Sequence, residues 1–216
     1  MQYFLKMNKQ KYFDFQTETD FDINSFFVNK TNKEAYNLIT NTNFNGNIIL
    51  VGPNKSGKTH LSKIWQVNNN AFKYSNNLHK IISENQNVVI DDLFDKINEE
   101  NLFHLINYCN EKKLKILATS SIDLFEYKFI LPDLLSRLKT FSYVYIKNPD
   151  DEILVNLLTK LLIEKQFIIK NKDIFSFLLK RLNRTYEDVY NLVKQMDKIS
   201  LEKKQQLTIS SIKELI

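Results

Sequence analysis

Up to residue 148 the chain alternates between two kinds of apolar pattern. Short continuous runs rich in β-branched residues occur at Asn47 to Val51 (NIILV), in Asn87 to Asp92 (NVVIDD), at Lys115 to Ser121 (KILATSS) and at Ser142 to Ile146 (SYVYI). Their length and composition predict strands buried on both faces. The weaker run Ala71 to Ser75 (AFKYS) reads as a further strand. Between the strands, apolar residues recur at helical spacing in Lys33 to Ile39 (KEAYNLI), in a helix through His60 to Trp65 (HLSKIW) and in Asn76 to Ile82 (NNLHKII). The pattern is clearest in Glu99 to Lys113 (EENLFHLINYCNEKK), where Leu102, Leu105, Ile106 and Cys109 share one face. Strands alternating with helices predict an α/β fold, with a parallel sheet covered on both faces and joined by right-handed crossovers.

Two parts of the chain depart from this alternation. Residues 1–30 are polar and aromatic without periodicity and read as an extended arm. After Asn148-Pro149-Asp150 the pattern becomes purely helical, in DEILVNLLTKLLIEK, DIFSFLLKRL, TYEDVYNLVKQMDKI and TISSIKELI. Pro149 fixes the turn and Asp150 can cap the next helix, so the expected organisation is an arm (1–30), a core (31–148) and a helical part (149–216).

Composition narrows the class of protein. The 216 residues are 43% hydrophobic and 25% charged, an ordinary globular balance. No apolar run approaches the ~18 residues of a membrane helix, and the N-terminus lacks the apolar region and cleavage site of a signal peptide. A single cysteine, Cys109, leaves no internal disulfide framework, which fits a reducing cytoplasm. His60, His79 and His104 are scattered, so no zinc site is expected. The net charge of +5 is spread along the chain as lysines on solvated helix faces, with no dense basic block to demand nucleic acid. Against this Lys-rich background the chain has only three arginines (Arg137, Arg181, Arg184) and three glycines (Gly46, Gly52, Gly57). Each arginine is a candidate for a place where a point charge will not serve.

The chemistry concentrates at one motif. Gly52-Pro53-Asn54-Lys55-Ser56-Gly57-Lys58-Thr59 satisfies G-x-x-x-x-G-K-[ST] between a predicted strand and a predicted helix, with His60 continuing that helix. Such a loop curls backbone amides around phosphate oxygens at a helix N-terminus. Lys58 is expected to reach the β- and γ-phosphates of ADP or ATP, and Thr59 to ligate Mg2+. Asp91 and Asp92 end a buried strand, and Asp91 is assigned to the metal shell through water. Asp92 stands where many ATPases carry Glu to orient water, and its shorter side chain predicts slow or no intrinsic hydrolysis. Thr119 and Ser120 end the third buried strand, where a hydroxyl either senses the γ-phosphate or caps the next turn. Arg137, in LPDLLSRL, follows a short predicted helix and has the exposed edge position that an arginine finger needs. Arg184 is expected to begin a helix and to fold onto the phosphates, while Arg181 reads as a surface residue.

Together these motifs resemble an AAA+ ATPase of the DnaA type, and more closely the DnaA-homologous regulatory inactivators of the Hda family. The stretches that carry the resemblance are KTHLSKIW, LFHLINYCNEK, LPDLLSRL and LLKRLNRTYEDVYNLVKQMDK with its trailing LTISSIKELI, over nearly the whole chain. The resemblance implies a five-stranded parallel sheet of order 5-1-4-3-2 with a C-terminal helical lid. Three features set the sequence apart from an initiator. By the resemblance it is expected to stop where the lid stops, without the initiator's helix-turn-helix domain. The segment Tyr74 to Val88 is too short for the initiator's extra helix. The arm contains Gln10-Lys11-Tyr12-Phe13-Asp14-Phe15, similar to the Q-x-x-Φ-x-Φ peptide by which Hda proteins bind the DNA sliding clamp. There Gln10 would bond at a pocket rim, and Phe13 and Phe15 would insert as anchors. Lys11 stands where that peptide usually has Leu, and Gln2 to Met7 fits the same loose template. The alternative is an arm that packs its own aromatics on the core.

By that resemblance the chain is a negative regulator of replication initiation in the cytoplasm, at the nucleoid and away from membranes. It would bind the DnaA initiator and the sliding clamp, meet DNA through the clamp, and stimulate hydrolysis of the initiator's ATP with Arg137. Two other readings remain open on the residues alone. One is a helicase-loader-like or other DNA-associated AAA+ ATPase, and the other is an initiator relic that keeps only an interaction role.

Overall fold

The structure, a computed structural model, describes residues 25–75, 83, 85–95, 98–167 and 173–203. The predicted helices at Asn76 to Ile82 and Thr208 to Ile216 lie outside these residues, as do Gln10, Phe13 and Phe15.

Five strands, β1 (Ile48–Val51), β2 (Ala71–Lys73), β3 (Asn87–Ile90), β4 (Ile116–Ser120) and β5 (Ser142–Tyr145), form one sheet. Their order is β2-β3-β4-β1-β5, which read from the opposite edge is the expected 5-1-4-3-2. Every neighbouring pair is parallel, with Ile48 level with both Leu117 and Ser142. The helices are α1 (Lys33–Thr40), α2 (Lys58–Asn68), α3 (Glu99–Glu111), α4 (Pro132–Leu138), α5 (Asp151–Glu164), α6 (Asp173–Leu179) and α7 (Tyr186–Lys203). Two details differ from the sequence expectation. Arg137 lies within the last turn of α4 rather than after it, and Arg184 precedes α7 in the left-handed backbone region at φ 55°.

Because side chains alternate along a strand, a sheet covered on both faces needs every position apolar. Ile49, Val51, Val88, Ile90, Ile116 and Ala118 point to one face, where Leu102, Leu105, Ile106 and Cys109 of α3 and Leu134 and Leu138 of α4 meet them. Ile48, Leu50, Val89 and Leu117 point to the other, against Ala35 and Ile39 of α1 and Leu61, Ile64 and Trp65 of α2. Burial pushes the Cys109 thiol up to about 12, so it packs as a small apolar group.

The helical part has its own core, made by Leu154, Leu158 and Leu162 of α5, Leu178 of α6, and Val189, Leu192, Val193 and Met196 of α7. Asp150 caps α5 by accepting the Ile153 amide at 3.0 Å. That bond, with Asn29 and Lys30 alongside, holds the Asp150 carboxyl below its usual range. Side chains from two helices seat the lid on the α/β core: Ile153 of α5 and Tyr186 of α7 join the cluster beneath α1 and α2, and Leu157 of α5 packs against it. The Tyr186 hydroxyl donates to the Lys147 carbonyl at 3.3 Å. Among the described residues, no helix is long and apolar enough to cross a membrane.

If Tyr186 carries the seating of the lid, Tyr186→Ala lowers the unfolding free energy by about 3–5 kcal/mol, as for other large-to-small core changes. Tyr186→Phe, which removes only the hydroxyl, costs about 1 kcal/mol. Urea denaturation of both variants checks the ratio, and equal losses would mean that the hydrogen bond rather than the ring holds the lid.

Candidate functional site

β1 leaves the sheet at Val51 and the chain turns through Gly52 to Gly57 into α2. The turn begins against β4, where the Gly52 amide donates to the Ser120 carbonyl at 3.0 Å. Gly52 has no room for a side chain, because a Cβ there would stand 2.9 Å from Ile146 Cβ and 3.2 Å from its carbonyl oxygen. Lys55 and Gly57 take left-handed backbone angles of φ 62° and φ 98°. At Gly57 the restriction is double: a Cβ would be strained by φ and would also stand 2.8 Å from Phe26 Cε2.

Within this loop Lys58 is buried and folds back on the turn, donating from Nζ to the carbonyls of Gly52 at 2.7 Å and Pro53 at 3.0 Å. Burial pushes the Lys58 ammonium below its usual range, and the charges of Asp92 and Asp91 oppose that shift. The Ser56 hydroxyl is buried without a hydrogen-bond partner among the described residues. Pro53 is half-buried, and Asn54, Lys55 and Thr59 are exposed. The His60 ring meets Phe26 edge-on at 5.3 Å between centroids.

The second wall comes from the ends of β3 and β4. Asp91 accepts from Thr119 Oγ1 at 2.9 Å on Oδ1 and from Lys73 Nζ at 3.1 Å on Oδ2. The Asp92 amide donates to Thr119 Oγ1 at 2.9 Å, and Asp92 takes φ 59° with its carboxylate exposed. Thr119 thus ties both acids to β4. Ser120 turns the other way, donating to the Ile122 carbonyl at 2.6 Å and accepting its amide at 3.1 Å. Neighbouring residues of β4 bring the loop and the acids together, Ser120 taking the Gly52 amide and Thr119 holding Asp91.

The arginines separate by their partners. Arg181 lies over the Phe177 ring at 3.8 Å and donates to its carbonyl. Arg184 pairs with Asp151 at 3.6 Å, both side chains exposed, in a pocket with Lys30, Asp150 and Glu152. Arg137 is exposed, and among the described residues its guanidinium has no hydrogen bond or ion pair.

Comparison with known proteins bears on this arrangement. Residues 154–216 match the family model described as the lid domain of Hda. No curated protein matches the chain. Among solved structures, domain III of the Thermotoga maritima replication initiation protein DnaA superposes with a TM-score of 0.72 at 17% identity, covering 92% of this chain and 96% of that one. AMPPCP-bound DnaA from Aquifex aeolicus matches with a TM-score of 0.62 at 17% identity, over 82% of this chain and 65% of that one. The Thermotoga maritima RuvB Holliday junction branch migration motor matches with a TM-score of 0.57 at 14% identity, over 78% of this chain and 60% of that one. Residues 154–216 match an Hda lid domain, and the chain has the fold of DnaA domain III. The structural likenesses, at these identities, speak for the fold. The chain spans less than two thirds of the Aquifex initiator and of RuvB.

Three contacts of the site are not legible in the sequence. Phe26, which precedes α1, stacks on Tyr36 at 5.9 Å and covers Gly57. Lys55 lies 5.6 Å from the centroid of Tyr190, so the phosphate-type loop touches the lid directly. Lys73 is bonded to Asp91. The first two pair residues distant in sequence, and Lys73 looks in the sequence like one of many solvated lysines.

Gly57→Ala is expected to cost about 1–2 kcal/mol for its left-handed backbone and more for the Phe26 contact. Combining it with Phe26→Ala recovers the second part, which a double-mutant cycle in urea measures. An unchanged cost in the Phe26→Ala background would show that the ring does not restrict Gly57.

Proposed function

We propose that this chain holds an adenine nucleotide on Gly52 to Thr59 and regulates replication initiation by stimulating ATP hydrolysis on the DnaA initiator. The observation that carries the proposal is the Hda lid over residues 154–216, on a core whose fold is that of DnaA domain III. In this reading the chain works as an arm (1–30) that docks on the sliding clamp through Gln10, Phe13 and Phe15, a nucleotide-binding core (31–148) and a lid (149–216). It meets DNA through the clamp, in the cytoplasm.

The loop suits a phosphate group. It leads directly into the N-terminus of α2, whose partial positive charge favours an anion, and the buried Ser56 hydroxyl has no hydrogen-bond partner among the described residues. Lys58 need only exchange the carbonyls of Gly52 and Pro53 for phosphate oxygens. Thr59 and Asp91 offer hard oxygen donors of the kind Mg2+ takes, and bound there Mg2+ would neutralise phosphate charge. Asp92, exposed and one methylene shorter than Glu, is a poor holder of water, which agrees with slow intrinsic turnover. Arg184 reaches the phosphates in this reading only by leaving Asp151.

Arg137 is the group offered to the partner. The same stretch exposes Phe125 at 78% and Ile130 at 90% of their surfaces. The Glu99 carboxylate accepts both the Ile130 amide at 3.1 Å and the Leu131 amide at 2.7 Å, so this apolar tip is held rigidly in front of α4. An exposed apolar anchor leading into the helix that carries Arg137, whose guanidinium has no ion pair among the described residues, suits a protein surface that carries an anion.

Lys58→Ala is expected to abolish ADP binding while the sheet stays folded. Calorimetric titration tests this, and unchanged affinity would remove the nucleotide reading. The decisive experiment for the regulatory role is single-turnover ATP hydrolysis by DnaA, with clamp on DNA, with and without this chain. Arg137→Lys keeps the charge and loses the two-pronged donor. It should leave folding and ADP binding intact and reduce stimulation about 10²–10³-fold, a barrier change of roughly 3–4 kcal/mol. Full stimulation by Arg137→Lys or Arg137→Ala would exclude the finger.

A further inference from the structure

The acidic wall of the site carries a cation of its own. Lys73 ends β2 and places Nζ 3.1 Å from Asp91 Oδ2, while Thr119 donates to Oδ1 at 2.9 Å. Both oxygens of the carboxylate are therefore engaged before any ligand arrives. The contact follows from register: Lys73 stands opposite Val89 on β3, and the lysine stem spans the remaining two residues to Asp91. The Asp91 side chain is 22% exposed and that of Lys73 49%, so the acid is the more sheltered partner. The neighbouring charges are Asp92, with its carboxylate exposed, and Lys58, which is buried and turned to the loop carbonyls.

We infer that Lys73 is a built-in counter-ion at Asp91, which weakens Mg2+ at that carboxylate and lets the chain retain ADP nearly independently of the metal. The inference rests on the nucleotide reading above and adds how the site treats its metal. A divalent ion held by Asp91 must either displace the ammonium or share the carboxylate with it at close range. Near a protein surface, repulsion at ~4 Å is strong enough to shift an ion's affinity about tenfold or more. The charge that the metal would add near Asp91 is supplied by Lys73, and that near the phosphates by Lys58 and the helix terminus. Lys73 acts through Asp91 and is a positioning residue. Such a site suits a protein that keeps its nucleotide rather than one that turns it over.

The test uses the full chain, with ADP titrated calorimetrically in Mg2+ and in EDTA, and Mn2+ binding to the ADP complex followed by electron paramagnetic resonance. In the unmodified chain, the ADP dissociation constant should differ by less than about threefold between the two buffers. Lys73→Met should bind Mn2+ about tenfold more tightly and acquire an ADP affinity about tenfold better with metal than without. Lys73→Arg, which keeps the charge, should behave as the unmodified chain. A purely structural role would instead lower the melting temperature and weaken ADP equally in both buffers with Mn2+ affinity unchanged, and that result overturns the inference. An unmodified chain that loses ADP more than about tenfold in EDTA also overturns it, while leaving nucleotide binding intact. Failure to bind ADP in either buffer would instead remove the nucleotide reading, and this inference with it.

Discussion

Thr119 is wholly buried on β4, and a hydroxyl in that position must be satisfied from within the protein. It accepts the Asp92 amide and donates to Asp91, while the Thr119 carbonyl takes the Leu93 amide at 2.7 Å. Three consecutive residues after β3 are thereby sewn to one residue of β4. This forces Asp92 into its left-handed turn and points the Asp91 carboxylate to the C-terminal edge of the sheet. One residue on, the Ser120 carbonyl receives the Gly52 amide, so β4 also sets where the glycine loop begins. The loop and the acids face each other because both are registered against the same strand.

That strand can do this only because the sheet around it is dry. β1 and β4 are buried along their whole length, and ladder bonds there have no water to compete with. The lid depends on the same core through Tyr186 and Ile153. Polar contacts then trim its orientation: Asn29 to Asp150 at 3.0 Å, Lys160 to the Ser25 carbonyl at 3.1 Å, and Lys55 near Tyr190. Half-exposed contacts of this kind contribute little individually. The apolar seat decides that the lid is attached, and the polar ones decide its angle. The glycine loop consequently lies at a seam, touched by Phe26 from the segment before α1, by Tyr190 from the lid and by β4 from below.

Much of this could be read along the chain, for local reasons. β-branched runs without polar interruption have no stable place except a sheet covered on both faces, so NIILV and NVVI announced β1 and β3, and KILATSS announced β4. Two of only three glycines fall in G-x-x-x-x-G-K-T, where one needs φ 98° and the other tolerates no Cβ. The change to helical periodicity after Pro149 marked where α5 starts. The scarcity of arginine singled out Arg137, Arg181 and Arg184, although not which was free.

What the sequence could not contain was the partnering. Arg181, Arg184 and Arg137 are alike in composition, and only the folded chain lays one on Phe177, pairs one with Asp151 and leaves the third without a partner among the described residues. Thr119 and Ser120 were equal candidates for one role, but strand alternation turns adjacent side chains apart, so one holds Asp91 and the other its own turn. Lys73 was one lysine among many until parallel register brought it beside Asp91. Element type follows from neighbours a few residues away, and the sequence by itself determined it. Which charge meets which depends on strand register and on how helices seat across the sheet, contacts made between residues far apart in the chain, and only the tertiary structure decided those.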